Sequence, residues 1–234
     1  MFNTRNNIVG CLVVVSLLGA SSAFAAPKNP SDPNRGLSGF NDDSPENIKL
    51  RSAPGDPIAG KDKSVICQGC HGENGMSPEP MVPHLAGQYG KYISKNLRNF
   101  QSGVRVHQIM SAMAATIEDG DLADISAYFA SQPKMRGDGP GPNSDIGKNI
   151  FLNGDMSRMI VSCINCHGVN GKGKTPGNQT FPVIGGQQAG YLRGQLINWR
   201  KGDRTNSAGG IMNIIAQKLT DAEIDSLADY ISSL

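Results

Sequence analysis

The feature that most limits what this chain can fold into is a five-residue cysteine motif that occurs twice. Cys67-Gln68-Gly69-Cys70-His71 returns as Cys163-Ile164-Asn165-Cys166-His167, at an offset of 96 residues. The likeness continues beyond the motif. Pro83 in PHLAGQ matches Pro182 in PVIGGQ at an offset of 99, which holds through Gly87/Gly186, Gln88/Gln187, Tyr92/Tyr191, Leu97/Leu196, Phe100/Trp199, Gly103/Gly202 and Arg105/Arg204. At an offset of 102 the pairs are Met110/Met212, Ile117/Leu219, Asp119/Asp221 and Tyr128/Tyr230. Repetition at stepped offsets is the mark of a duplicated domain with longer loops in its second copy.

The halves read as all-helical. Ile93, Leu97 and Phe100 stand at i, i+4 and i+7, Leu192, Leu196 and Trp199 repeat the spacing, and such a stripe is one face of a helix. A closing helix follows in each half, with Leu122, Ile125, Tyr128 and Phe129 in one and Ile224, Leu227, Tyr230 and Ile231 in the other. Thr220 and Glu223 form a capping box, whereas the first copy has Glu118 in the place of Thr220 and should be capped less well. The stretches between are Gly- and Pro-rich, with no strand signal. Each half then has about three helices, a size at which apolar burial alone gives marginal stability, so a large flat apolar group is expected to complete each core.

The flanks set the context. Residues 1–25 carry Arg5, an apolar run from Ile8 to Leu18 and a small-residue end at Ala23-Phe24-Ala25. They read as a cleaved export signal, because the run is too short to span a bilayer. Ile8-Val9-Gly10-Cys11 resembles a lipoprotein box, but it precedes the apolar run, which argues against lipid attachment. The mature protein is therefore expected to be exported. Residues 26–50, rich in Pro, Asn, Asp and Ser, are expected as a loose arm, and 132–145 as a linker. The two domains are then 51–131 and 146–234. With 22 basic residues against 20 acidic ones and no basic tract, the charge balance gives no case for binding nucleic acid.

All four cysteines after the leader lie in the two motifs. A disulfide within C-x-x-C would close a small loop with little stabilising reach. A four-thiolate zinc site usually spaces its pairs by about 12 to 20 residues, whereas here a whole domain intervenes. A thioredoxin-like dithiol needs strands alternating with helices. Covalent haem attachment accounts for every element: Cys67, Cys70, Cys163 and Cys166 add to the vinyl groups, and His71 and His167 are thereby placed at the iron. The second axial position has several candidates in the first half, namely Met76, Met81, Met110, Met113, His84 and His107. Met113 aligns with Ile215, His84 with Val183 and Met76 with Lys172, while Met81 and His107 lie beside insertions. Met110 and Met212 alone recur at an equivalent place, which selects them as axial ligands. The carbonyls of Pro83 and Pro182 are candidates to fix the histidine rings. Arg105 and Arg204 could compensate haem propionates, and Tyr92, Tyr191, Phe100 and Trp199 read first as helix-packing residues.

From about Gly60 to Leu234 these motifs resemble the diheme cytochrome c4 family: CQGCHGENG and CINCHGVNG, the P-x-x-A/G-G-Q loop, a Tyr-bearing helix, G-x-R, the methionine, and the closing helices ISAYFASQ and LADYISSL. The resemblance implies two tandem class I cytochrome c domains with two covalent haem c groups, each ligated by histidine and methionine, and electrons passing between them in a periplasmic respiratory chain. The implied partners are redox proteins: a quinol-oxidising complex or dehydrogenase as donor, a terminal oxidase as acceptor. Whether the protein also docks peripherally on a membrane stays open. An alternative is the diheme subunit of a larger dehydrogenase such as a flavocytochrome. A diheme peroxidase is a third reading, and it needs an open iron position and an acid-base group, for which His107 is the candidate.

Overall fold

In the computed structural model, residues 43–137, 144–174 and 179–234 are described. The expected signal, residues 26–42 of the arm, and 138–143 of the linker fall outside them. The described residues are all-helical apart from an isolated bridge between Asp155 and Ile160, and none of their helices is long and apolar enough to cross a membrane.

The first half contains α1 (Pro45–Ser52), α2 (Pro57–Lys63), α3 (Val65–His71), α4 (Gly90–Gln101), α5 (Gln108–Ala115) and α6 (Leu122–Ser131). The second contains α7 (Ser144–Asn153), α8 (Ile164–His167), α9 (Ala189–Lys201), α10 (Ile211–Ala216) and α11 (Asp221–Ser232). The expected stripes are buried: Ile93, Leu97 and Phe100 face α6, and Leu192, Leu196 and Trp199 face α11. The count of three helices per half captures the long elements and omits the short ones, which carry the cysteine motif and the repeated methionine.

Capping follows the sequence. Thr220 and Glu223 exchange hydrogen bonds as a capping box at the start of α11, while α6 starts at Leu122 without a side-chain cap. Before the cysteine motif the repeat continues further than the aligned residues reveal. Gly60 of α2 lies against α6 and Gly147 of α7 against α11, so close that an added Cβ would come within 1.9 Å of Asp124 O and 2.1 Å of Ser226 O. The second copy then inserts the turn 154–162, pinned by Asp155 as the cap of a short 3-10 turn and by Arg158 bound to Asp155 and Glu223.

The stretch expected as a loose arm ends in α1, which starts within it at Pro45. Arg51 is fully buried there, donating to Ala130 O (2.6 Å) and Gln132 O (2.9 Å) and pairing with Asp43 at 2.8 Å. The start of the expected linker is packed as well. Met135 is buried, and Lys172 Nζ donates to Met135 O, Gly185 O and Leu234 O, tying the linker to the second half.

Candidate functional site

The site is built twice. On α3, Cys67, Cys70 and His71 stand at i, i+3 and i+4, and so share one helix face. In the second half α8 carries Cys166 and His167, with Cys163 at its N-cap. The chain turns sharply after each histidine at Gly72 (φ 79°) and Gly168 (φ 80°), a left-handed conformation that glycine adopts without cost. The turn brings the proline loop back under the ring. His71 Nδ1 donates to Pro83 O at 2.8 Å, and His167 Nδ1 to Pro182 O at 2.9 Å, as the sequence anticipates.

These bonds set the tautomer. With Nδ1 protonated, the Nε2 lone pair of each imidazole is left to bind a metal. Burial holds both histidines below the usual imidazole pKa, with the proline carbonyl opposing the shift, so the rings are neutral and able to ligate. Burial also pushes the Cys67 thiol up to about 11 and Cys163 up to about 12. That is the opposite of a redox-active dithiol, whose thiolate is stabilised. Among the described residues no three or more of His, Cys, Asp and Glu are grouped to hold a metal ion.

Met110 and Met212 take matching places. Met110, half-buried near the start of α5, packs on the first-half core with Cys67; Met212, near the start of α10, packs on the second-half core with Cys163. In each case a preceding side chain receives the methionine's backbone N–H: His107 Nδ1 for Met110 and Ser207 Oγ for Met212, both at 3.3 Å. The other candidates are engaged elsewhere. Met81 is exposed and lies against Gly190 of the second half, and Met76 packs with Tyr89, Met135 and Val183. His84 Nδ1 accepts from Ser77 N at 2.9 Å, and His107 is exposed and caps α5.

Arg105 and Arg204 reach across to the opposite half. Arg105 donates to Tyr191 Oη (3.1 Å) and Gln195 Oε1 (2.9 Å), and Arg204 to Tyr92 Oη (3.0 Å) and Asn96 Oδ1 (3.3 Å). Tyr92/Tyr191 and Asn96/Gln195 are repeat equivalents, so the contact between the halves has approximate two-fold symmetry. Each guanidinium also stacks on its own half's aromatic, Arg105 at 4.7 Å from the Phe100 centroid and Arg204 at 4.2 Å from the Trp199 centroid. The two tyrosines are therefore contacts between the halves. The sequence carried a signal for this, polar positions repeated at a single offset on otherwise amphipathic helices, but single-chain periodicity does not say which half they face.

The residues present fit haem. Each half offers its thiols and a neutral imidazole from one helix face, with a thioether packed on the same core. Each also has a buried donor with no acceptor among the described residues, Asn99 Nδ2 and Trp199 Nε1. Arg105 and Arg204 converge on Gln195 Oε1, and no salt bridge to a carboxylate is formed by either among the described residues. Two cationic groups without a carboxylate partner and two unmatched donors suit a cofactor that carries anionic groups such as propionates.

Comparison with known proteins agrees. The cytochrome c family matches residues 60–133 and 144–234. Cytochrome c4 of Pseudomonas aeruginosa is 39% identical over 187 residues, covering 79% of this chain and 92% of the relative. The structure of reduced recombinant cytochrome c4 from Pseudomonas stutzeri superposes with a TM-score of 0.72 at 37% identity, covering 77% of this chain and 99% of that one. A thiosulfate dehydrogenase electron acceptor of Thiomonas intermedia is 30% identical, covering 78% of this chain and 84% of the relative. The chain belongs to the diheme cytochrome c4 family, electron-transfer proteins that hold two haem c groups.

Proposed function

We propose that this diheme electron carrier works in the periplasm, passing single electrons between respiratory-chain partners, with His71 and Met110 as axial ligands of one haem and His167 and Met212 of the other. The observation that carries this reading is the repetition of the whole ligand frame. In both halves a proline carbonyl orients the histidine, and a methionine at the head of a short helix, its N–H held by a preceding side chain, packs on the core that holds the first cysteine.

Haem, once bound, supplies the one-electron chemistry. The chain's residues do the rest. Cys67, Cys70, Cys163 and Cys166 anchor it covalently. His71 and His167, locked by Pro83 and Pro182, present Nε2 in a fixed direction and would hold the iron there. Met110 and Met212 would add soft thioethers, a ligand type that favours the reduced state and raises the potential. His107, the acid-base candidate of the peroxidase reading, is exposed and uses its Nδ1 to cap α5.

Export to the periplasm is supported by the leader at 1–25. A second reading, in which the chain is the electron acceptor of one dehydrogenase, is favoured by the likeness to the thiosulfate dehydrogenase acceptor. Carbon monoxide separates carrier from catalyst. The reduced carrier should bind it slowly or hardly at all at neutral pH, whereas rapid stoichiometric binding, or peroxide turnover at about one per second or faster, would overturn the proposal.

A further inference from the structure

The proline loops that orient the axial histidines are themselves held from the opposite half. Pro83 C=O and His84 N–H belong to one planar peptide unit, so fixing the direction of one fixes the other. His84 N donates to Gln187 Oε1 at 2.7 Å, and Gln187 Nε2 donates to His84 O at 2.9 Å. The arrangement recurs with the halves exchanged. Pro182 C=O and Val183 N–H share a peptide plane, Val183 N donates to Gln88 Oε1 at 3.0 Å, and Gln88 Nε2 donates to Val183 O at 2.7 Å. Both amides are buried, at 5% and 4% exposed for Gln88 and Gln187. Water therefore does not readily take over either role.

We propose that Gln187 and Gln88 are crossed positioning residues: Gln187, in the second half, sets the ligation of His71 at the first haem, and Gln88, in the first half, sets that of His167 at the second. The inference rests on ligation by the two histidines and is independent of the sixth ligands. Two effects carry it. Each amide pins the peptide plane whose carbonyl receives the histidine's Nδ1–H. By accepting from that plane's N–H it also polarises the carbonyl, because hydrogen bonds in a chain strengthen one another. A stronger Nδ1–H···O bond makes the imidazole more basic and favours ferric iron. Removing the clamp should weaken the bond and shift that haem toward the reduced state. Separation of the halves would thereby alter both irons, each through a contact made by the other half.

The test uses the full holoprotein. In Gln187→Met, near-isosteric and without amide hydrogen bonds, the midpoint potentials of both haems are measured with each assigned by its hyperfine-shifted NMR signals, together with the solvent exchange of the Nδ1–H of His71 and His167. The expected result is a rise at the first haem, with the ferric-to-ferrous ratio falling roughly tenfold, the scale of an outer-shell ligand effect and about 59 mV for a one-electron couple. His71 Nδ1–H should exchange faster, while the second haem stays in place. Gln88→Met should give the mirror result. Gln179→Leu breaks a different bridge between the halves, to Lys91 N and Leu50 O, and should move neither haem. If Gln187→Met does not fold, Gln187→Asn, one methylene short of spanning both His84 groups, is judged by the same criteria and should shift in the same direction by less. A response at the second haem only, at both haems equally, or at neither overturns the proposal. A wild type that lacks histidine-ligated haems fails the ligation reading instead, so the two failures are distinct.

Discussion

Replacing Arg204 by methionine should be the most costly single change at the junction of the halves, and clearly worse than Arg105→Met. Arg204 is only 4% exposed and donates to Gln195, Tyr92, Asn96 and Asn206 while lying 4.2 Å over Trp199. Hydrogen bonds to a charged group are worth about 1.5–3 kcal/mol each and a desolvated stack about 2, and neither adds fully to the other. Part of the loss is recovered because Asn96 and Gln195 keep Arg105 as a donor. The expected cost is therefore about 3–5 kcal/mol. Arg105 has equivalent partners but is half-exposed, and water can replace what it loses, so about 1–2 kcal/mol is expected. Urea unfolding of the holoprotein followed by circular dichroism measures both. A double-mutant cycle of Arg204→Met with Tyr92→Phe should return a coupling of about 1.5 kcal/mol. Equal costs for the two arginines, or a coupling below about 0.5 kcal/mol, would refute the view that these contacts hold the halves together.

Three further outcomes are expected. The mature protein should have a mass two haem groups above its polypeptide, and the groups should survive acid-acetone extraction; Cys67→Ala with Cys70→Ala should leave residues 60–131 unprotected from hydrogen exchange. Gly147→Ala should destabilise the second half by more than the helix propensity of alanine returns, because its Cβ would lie 2.1 Å from Ser226 O, and a stability equal to wild type in urea would contradict that packing. The turn at 154–162 should weaken in acid. Ser157 and Arg158 hold the Asp155 carboxyl down to about 2, and Arg158 also lowers Glu223. A carboxylate depressed on folding contributes stability above its unfolded pKa, and that stability is lost as the pH falls through the folded value. Arg158→Ala should flatten the dependence of the urea midpoint between about pH 5 and pH 2, and an unchanged slope would count against this network.

How much of this was legible follows from what repeats. Duplication made the haem frame readable, because a core position and a ligand both need the same residue type in each copy; hence Met110/Met212 stood apart from Met113, and Pro83/Pro182 were recognised as partners of the histidines. The helix stripes were legible for the usual reason, a 3.6-residue period held over about two turns. The start of the fold was not. In α1, Arg51 is held by carbonyls at the end of α6, a long-range arrangement with no periodic trace, and the Pro- and Asp-rich sequence around it resembles a loop. Gly60 and Gly147 matter through the backbone they approach, and the nine-residue insertion before Cys163 hid their equivalence. The paired glutamines stood in the aligned loops, but only the fold shows that each serves the opposite half.

The most direct test of the account is the weak sulfur-to-iron charge-transfer band of the oxidised protein in Met110→Ala, Met212→Ala, the double variant and the control Met113→Ala. Each single ligand variant should lose about half of the band, lower the potential of its own haem and open that iron to carbon monoxide. The double variant should lose the band entirely, and Met113→Ala should keep it. Loss of the band in Met113→Ala with its retention in Met110→Ala, or a double variant whose irons both stay low-spin and closed to ligands, would contradict the His/Met diheme carrier.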